Sequence, residues 1–182
     1  MSPTLYHFSS TAHLPWILDA GELRPGQNRI GGLPDPDFLW ATECPLGDRT
    51  TGLTTDDRYR RGVVWSVRFT LDHVGFVRWC TVPALFPQWT VDHVAFLEKG
   101  AKGRTDPKEW WCRADALPLA CVTAIEVKSF HNNVWKPISP EVTTTWAAGT
   151  KWLGVRIGDR EFLSAKRVGP QGQDAYEIGR VV

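Results

Sequence analysis

Two side chains suited to chemistry stand about a hundred positions apart in this chain. His7 lies in Leu5-Tyr6-His7-Phe8-Ser9-Ser10, within a short strand expected just before a helix, and Glu109 lies in Lys108-Glu109-Trp110-Trp111, at the start of another expected strand. An imidazole donates and accepts hydrogen bonds in one plane, which suits the vicinal hydroxyls of a ribose. A carboxylate stabilises the positive charge that builds on a sugar as its bond to a leaving base breaks, and it can also bond the 2′-hydroxyl. Together the two segments point to chemistry on NAD. Each has a plainer alternative: His7 as a buried histidine bonded to a backbone carbonyl, and Glu109 as a solvated edge-strand carboxylate beside Lys108. Glu98, at the end of a helix, and Glu126, in a strand flanked by Lys128, fit a solvated role better.

The elements that must position these residues follow from periodicity and punctuation. Thr4 to Phe8 reads as a strand, and Ser9 or Ser10 is expected to cap a helix carrying Leu14, Ile17 and Leu18 on one face until Gly21 ends it. Pro15 is compatible only with the first turn. Gly- and Pro-rich residues 24–37 read as a loop, Phe38 to Thr42 as a compact apolar strand, and residues 43–61 as a second, polar loop. The alternation of Val63, Trp65, Val67, Phe69 and Leu71 with Ser66, Arg68 and Thr70 predicts a half-buried strand. Thr90 is expected to cap a helix that turns Val91, Val94, Ala95 and Phe96 or Leu97 inward and stops at Gly100. A basic loop over residues 100–107 then delivers Glu109, and Cys121 to Phe130 is the next expected strand. Trp152 to Ile157, the Gly158-Asp159 turn, Glu161 to Val168 and Tyr176 to Val181 predict an antiparallel meander.

Composition sets the frame. The 182 residues, 42% of them hydrophobic, suffice for one domain with a real core. Twenty-one basic against twenty acidic residues leave a net charge of +1, so a nucleic acid or membrane would have to be recognised locally. No apolar run approaches the length of a membrane span, and the first residues show no basic-then-apolar leader, so a soluble cytoplasmic protein is expected. Cys44, Cys80, Cys112 and Cys121 lack metal-ligand spacing and read as buried thiols, outside zinc sites and disulfides. Ten tryptophans are the compositional outlier, and a core role is expected for most of them. The isolated histidines 13, 73, 93 and 131 form no metal pairing. Serine hydrolase, P-loop and zincin motifs are missing, and so is the glycine-rich fingerprint of a Rossmann site.

Many short strands with few helices give an α+β class. At the level of motifs, Tyr6-His7-Phe8-Ser9-Ser10 followed by His13 to Leu18 and Gly21 resembles the opening of ADP-ribosyltransferases of the diphtheria-toxin-like (H-Y-E) branch, closest to the DarT-type enzymes that modify nucleic acid bases. Phe38 to Thr42, and Glu109-Trp110-Trp111 with Leu117-Pro118-Leu119 downstream, are similar in order and spacing to that family's second and third motifs. The resemblance covers roughly residues 4 to 130. It implies a split β-sandwich NAD-binding core over 1–130; residues 131–182, outside the resemblance, are expected as a C-terminal β extension packed on that core, there to close the sheet, contact a partner or form an oligomer interface. It implies that His7 bonds the adenosine-side ribose, that Phe8 holds the nicotinamide amide through its backbone, and that Ser9, Trp40 and Thr42 line the NAD site. Glu109 becomes the catalytic carboxylate, behind a recognition loop over residues 100–107. Arg49 is the first candidate for the arginine that meets the pyrophosphate or assists proton removal from a base, with Arg29 and Arg24 as alternatives.

Two departures bear on the acceptor. Pro107 stands where modifiers of protein arginine place Gln or Glu, and Trp40 stands where a tyrosine is usual, with a role in the core as its alternative. The expectation is a mono-ADP-ribosyltransferase using NAD as co-substrate and no metal, its acceptor single-stranded DNA or RNA ahead of protein. Arg58, Arg60, Arg61, Lys99, Lys102 and Arg104 supply local positive charge, and nearby tryptophans could stack an unpaired base. The resemblance also implies a toxin or phage-conflict role with an antitoxin as possible partner. Alternatives are a non-catalytic NAD-, nucleotide- or peptide-binding module, an NAD hydrolase, or an RNA 2′-phosphotransferase.

Overall fold

The computed structural model describes residues 3–26, 32–47, 57–168 and 174–181. The fold is α+β and rich in antiparallel sheet. Its first strand, β1 (Leu5–Ser10), is longer than the pattern predicts, because all six residues pair antiparallel with β4 (Ser66–Leu71). Ser9 and Ser10 therefore belong to the ladder and do not cap the helix. α1 (Leu14–Ala20) starts behind His13 with Pro15 in its first turn, where a missing N–H costs nothing, and Gly21 closes it at φ +71°. A short β2 (Glu22–Leu23) follows, then β3 (Leu39–Thr42).

The polar loop expected over 43–61 contains a one-turn helix, α2 (Asp57–Arg60). Beyond β4 the chain forms β5 (Val77–Arg78), the short α3 (Val82–Leu85) and α4 (Val91–Ala101). Next come β6 (Trp110–Arg113), β7 (Leu117–Pro118), β8 (Val122–Lys128) and β9 (Lys136–Pro137). The main sheet runs β5-β6-β3-β1-β4-β8-β9, so β1, with His7, lies at its centre. The expected meander gains a strand: β10 (Glu141–Ala147), β11 (Thr150–Ile157), β12 (Arg160–Val168) and β13 (Asp174–Val181) form a four-stranded sheet in chain order.

The main sheet is buried on both faces, and strand alternation sorts its residues between two cores. Leu5, Ala41, Phe69, Leu71 and Trp111 join Leu14 of α1 and Val155, Ile157 and Phe162 of the second sheet in one core. Trp110 and Cys112 face the other way, into a cluster with Phe38, Trp79, Val82 and Trp89 that Val94 and Leu97 of α4 help cover. Four tryptophans are thus buried, while Trp146 is 69% exposed.

Several expectations need correction. α4 runs through Gly100 to Ala101, which is buried in the aromatic cluster, and Val91, Ala95 and Phe96 point outward. Of the four thiols expected to be buried, Cys112 is so, and burial pushes its thiol up to about 12, so it stays a neutral packing group. Cys80 and Cys121 are exposed. Glu126 is no solvated carboxylate: Arg68 holds it at 2.5 Å where both side chains are largely buried. Glu98 accepts a hydrogen bond from Trp79 Nε1 at 3.2 Å.

In the second sheet, Gly154 sits where a Cβ would press on Thr143 Oγ1 and lie 2.8 Å from Leu163 Cδ2. Thr143 donates to Glu161 at 2.8 Å, so making room would also disturb that bond. Gly154→Ala should lower stability by about 1–3 kcal/mol, the usual cost of overpacking. Urea unfolding with an unchanged midpoint would show that the neighbours yield freely.

Candidate active site

The three strands carrying the expected site residues are neighbours. Tyr6 of β1 pairs with Thr42 of β3, and Thr42 pairs with Trp110 of β6, so these residues form one row across the sheet. His7 follows that row on β1 and Glu109 precedes it on β6, two strands away. Antiparallel order of β1, β3 and β6 therefore places two residues that the sequence separates widely on one sheet, two strands apart.

Beside His7 the sheet parts. β1 makes six pairs with β4 but only one, Tyr6↔Thr42, with β3. The ladder does not continue to a Phe8–Trp40 pair, and the Trp40 carbonyl instead lies 2.8 Å from His7 Nδ1. A carbonyl oxygen only accepts, so Nδ1 carries the proton and Nε2 is left as an acceptor. Nε2 has no hydrogen-bond partner among the described residues. The plainer reading of His7, a bond to a backbone carbonyl, is thus met by one nitrogen only.

Burial lowers the pKa of His7 below the ordinary histidine value, the bond to Trp40 opposing the shift in part. The folded protein then holds His7 neutral at a pH where the unfolded chain has begun to protonate it. The resulting stability is present in full above the unfolded value near 6.5 and is lost as pH falls towards the lowered folded value. The urea midpoint should fall between about pH 7.5 and about pH 5.5, and His7→Gln, whose amide can still donate to Trp40, should flatten that dependence. Equal slopes in both proteins would contradict a neutral, partly buried imidazole.

Glu109 ends a single 3-10 turn, Pro107–Glu109, directly before β6. Pro107 supplies the fixed φ for that turn, and the Asp106 carboxylate accepts from Lys108 N at 3.0 Å. The Glu109 carbonyl accepts from the Glu43 N–H at 3.0 Å, which ties the turn to the end of β3. No hydrogen bond or ion pair reaches the Glu109 carboxylate among the described residues.

Glu43 differs. Its carboxylate accepts from Trp111 Nε1 at 2.9 Å and pairs with Arg78 at 3.1 Å, while the Arg78 guanidinium lies over the Trp111 ring at 4.6 Å and donates to the Lys108 carbonyl at 3.4 Å. Glu43, Arg78 and Trp111 brace the Glu109 turn, and the sequence reading missed all three in this role. The available signal was the β3–β6 register, which sets the residue after Thr42 opposite Glu109.

The remaining expected residues divide. Ser9 continues β1 past His7, its Oγ 3.3 Å from His13 Nδ1. The Phe8 ring packs on Trp135 at 5.8 Å, so what it can offer a ligand is its backbone, at the point where β1 leaves β3. Trp40 is partly buried, its indole packed among Phe38, Trp79 and Trp110, and its described contribution to the site is the carbonyl that orients His7. Thr42 is buried, and its hydroxyl accepts from the Cys44 N–H at 3.1 Å. Arg49 and its alternative Arg29 lie outside the described residues. Arg24 pairs with Glu22 at 2.7 Å. Among the described residues no group of three His, Cys, Asp or Glu side chains could hold a metal ion, and no helix is long and apolar enough to cross a membrane. No family model matches the chain, and neither a curated protein nor a solved structure shows significant similarity to it.

Proposed function

We propose that this chain is a mono-ADP-ribosyltransferase of the diphtheria-toxin-like kind, which takes NAD where β1 parts from β3 and passes ADP-ribose to an acceptor, with single-stranded nucleic acid ahead of protein. The observation that carries this reading is the pairing of a neutral, oriented His7 with an unpartnered Glu109 carboxylate on either side of one row of the sheet. His7 Nε2 accepts from a hydroxyl of the adenosine-side ribose. The Phe8 backbone offers an N–H and a C=O to the nicotinamide amide. Glu109 accepts from the 2′-hydroxyl of the other ribose and stabilises the positive charge that develops on it. The bond between nicotinamide and ribose breaks, nicotinamide leaves with the electron pair, and the acceptor forms the new bond while losing a proton.

Glu43 is the less suitable carboxylate, because Arg78 and Trp111 already satisfy it and its charge is largely compensated before any substrate arrives. Its place in the reading is to hold the turn that presents Glu109.

Adenine-labelled NAD incubated with the protein and single-stranded DNA, RNA or a cell lysate tests the transfer. Label on one macromolecule, dependent on Glu109, is the expected result and identifies the acceptor. Nicotinamide release with no labelled acceptor would make the protein an NAD hydrolase. Binding of NAD with no release would make it a non-catalytic binding module.

A further inference from the structure

The C-terminal sheet runs β10-β11-β12-β13, so β10 and β13 are its edges. An edge strand presents a row of unpaired N–H and C=O groups, and proteins blunt such edges with charges, prolines or bulges. β13 is blunted: its ladder with β12 shifts register between Leu163 and Ser164, and its Glu177 is ion-paired with Arg167 at 2.6 Å. β10 is not. Glu141–Ala147 pairs in unbroken register with β11, contains no proline, and carries its one charge, Glu141, at its very start. No strand pairs with its other side among the described residues.

The hairpin determines what that side offers. Ala147↔Thr150 closes the two-residue turn Ala148-Gly149, both at positive φ, and the pair that flanks such a turn exchanges both its hydrogen bonds. Alternation then directs the N–H and C=O of Glu141, Thr143 and Thr145 towards β11 as well, and those of Val142, Thr144 and Trp146 away from it. The same three residues share one face of the sheet. Val142 and Trp146 are exposed, and Val142 stands opposite the fully buried Val155 of β11.

We infer that β10 is a dimer interface, where the strand pairs antiparallel with β10 of a second copy about a two-fold axis at Thr144. In that register Thr144 meets the partner's Thr144 and Val142 meets the partner's Trp146, with the reverse pair completing the symmetry. All three pairs are of the hydrogen-bonded kind, so every outward N–H and C=O of the strand is satisfied and two four-stranded sheets join into one. Each exposed indole covers the valine opposite it, and Glu141 lies opposite the partner's Ala147, where no like charge repels it. An axis at Thr143 would set Trp146 against Pro140, which has no N–H, and an axis at Thr145 would set Val142 against the turn residue Ala148. The strand is thus complementary to its own sequence in one register, which selects a second copy over a foreign strand. The dimer is independent of the reaction proposed for the site, and failure of nicotinamide release would leave it standing.

Sedimentation velocity of the full chain over a concentration series of about 1–200 μM tests the pairing, because a seam of one strand per copy belongs with the small interfaces whose occupancy follows concentration. Wild type should pass from the mass of one chain to that of two as concentration rises. Thr144→Pro removes an N–H that β11 does not use, so the hairpin keeps its own bonds while the dimer loses its central pair; the dissociation constant should rise about tenfold or more. Val142→Lys with Trp146→Lys, both at exposed positions, sets like charges opposite each other across the axis and should weaken the dimer by a similar factor. Val142→Lys with Trp146→Glu sets opposite charges there and should recover much of that loss, since within one chain the two positions lie about 13 Å apart along the strand. The lysine variants serve if Thr144→Pro misfolds. A chain that stays monomeric throughout the series would leave the edge to a strand of another protein and overturn the pairing with a second copy. So would a dimer indifferent to Thr144→Pro, or one weakened equally by the like-charge and opposite-charge variants.

Discussion

Glu109→Gln is expected to lower nicotinamide release from NAD by about 10²–10³-fold, the usual effect of removing one preorganised electrostatic contact to a transition state. The substitution keeps the size of the side chain and its ability to accept a hydrogen bond, and removes its charge. The loss should fall on kcat, with NAD affinity changed by only a few-fold, since charge on the sugar develops only as the bond breaks. The turn itself should survive, because Pro107, the Asp106 side chain and the backbone bond from Glu43 hold it independently of the Glu109 carboxylate. Glu43→Gln provides the contrast. It weakens the pair with Arg78 and the acceptor for Trp111 Nε1, so it loosens the brace and should reduce release less than Glu109→Gln does. Steady-state release for the two variants side by side checks the assignment. A larger loss in Glu43→Gln would transfer the catalytic role to Glu43.

The second large effect is on stability. Trp79→Ala should cost about 3–5 kcal/mol, against a total of about 5–15 kcal/mol for an ordinary domain. Trp79 is 1% exposed and sits at the centre of the aromatic cluster, with ring contacts to Trp40 at 5.0 Å, Trp89 at 5.7 Å and Trp110 at 6.0 Å. Its Nε1 also satisfies Glu98 of α4, so truncation both opens a cavity and breaks the hydrogen bond that ties the helix to the cluster. The same cluster backs Trp40 and Trp110, the residues beside His7 and Glu109. Trp79→Phe, which keeps a ring, should cost well under half as much. Urea denaturation measures both, and a loss below about 1 kcal/mol for Trp79→Ala would mean that the cluster collapses around the gap.

Much of the scaffold was legible because local rules determine it. The alternation through Val67, Phe69 and Leu71 marked β4, Gly21 marked the end of α1, and Gly158-Asp159 marked the β11–β12 turn, closed by the Ile157↔Arg160 pair. β10 was missed because Glu141–Ala147 is exposed along almost its whole length, so no buried face imposes an alternation. The stop expected at Gly100 failed because Ala101, one residue further, is buried among the tryptophans, and that packing outweighs the low helix propensity of glycine. At the site, residue types identified His7 and Glu109 as candidates. That Trp40 contributes a carbonyl, and that Glu43 and Arg78 brace the turn, depends on strand register and backbone direction, which no single segment encodes.

In the reaction we propose, His7 and Glu109 work on one NAD molecule to break its bond to nicotinamide. The most direct measurement is the time course of free nicotinamide from NAD incubated with purified protein, with and without single-stranded DNA or RNA. The expected result is release that grows with time, increases with the proper strand, and disappears in Glu109→Ala. NAD that stays intact under every acceptor condition, whether bound or not, would contradict it.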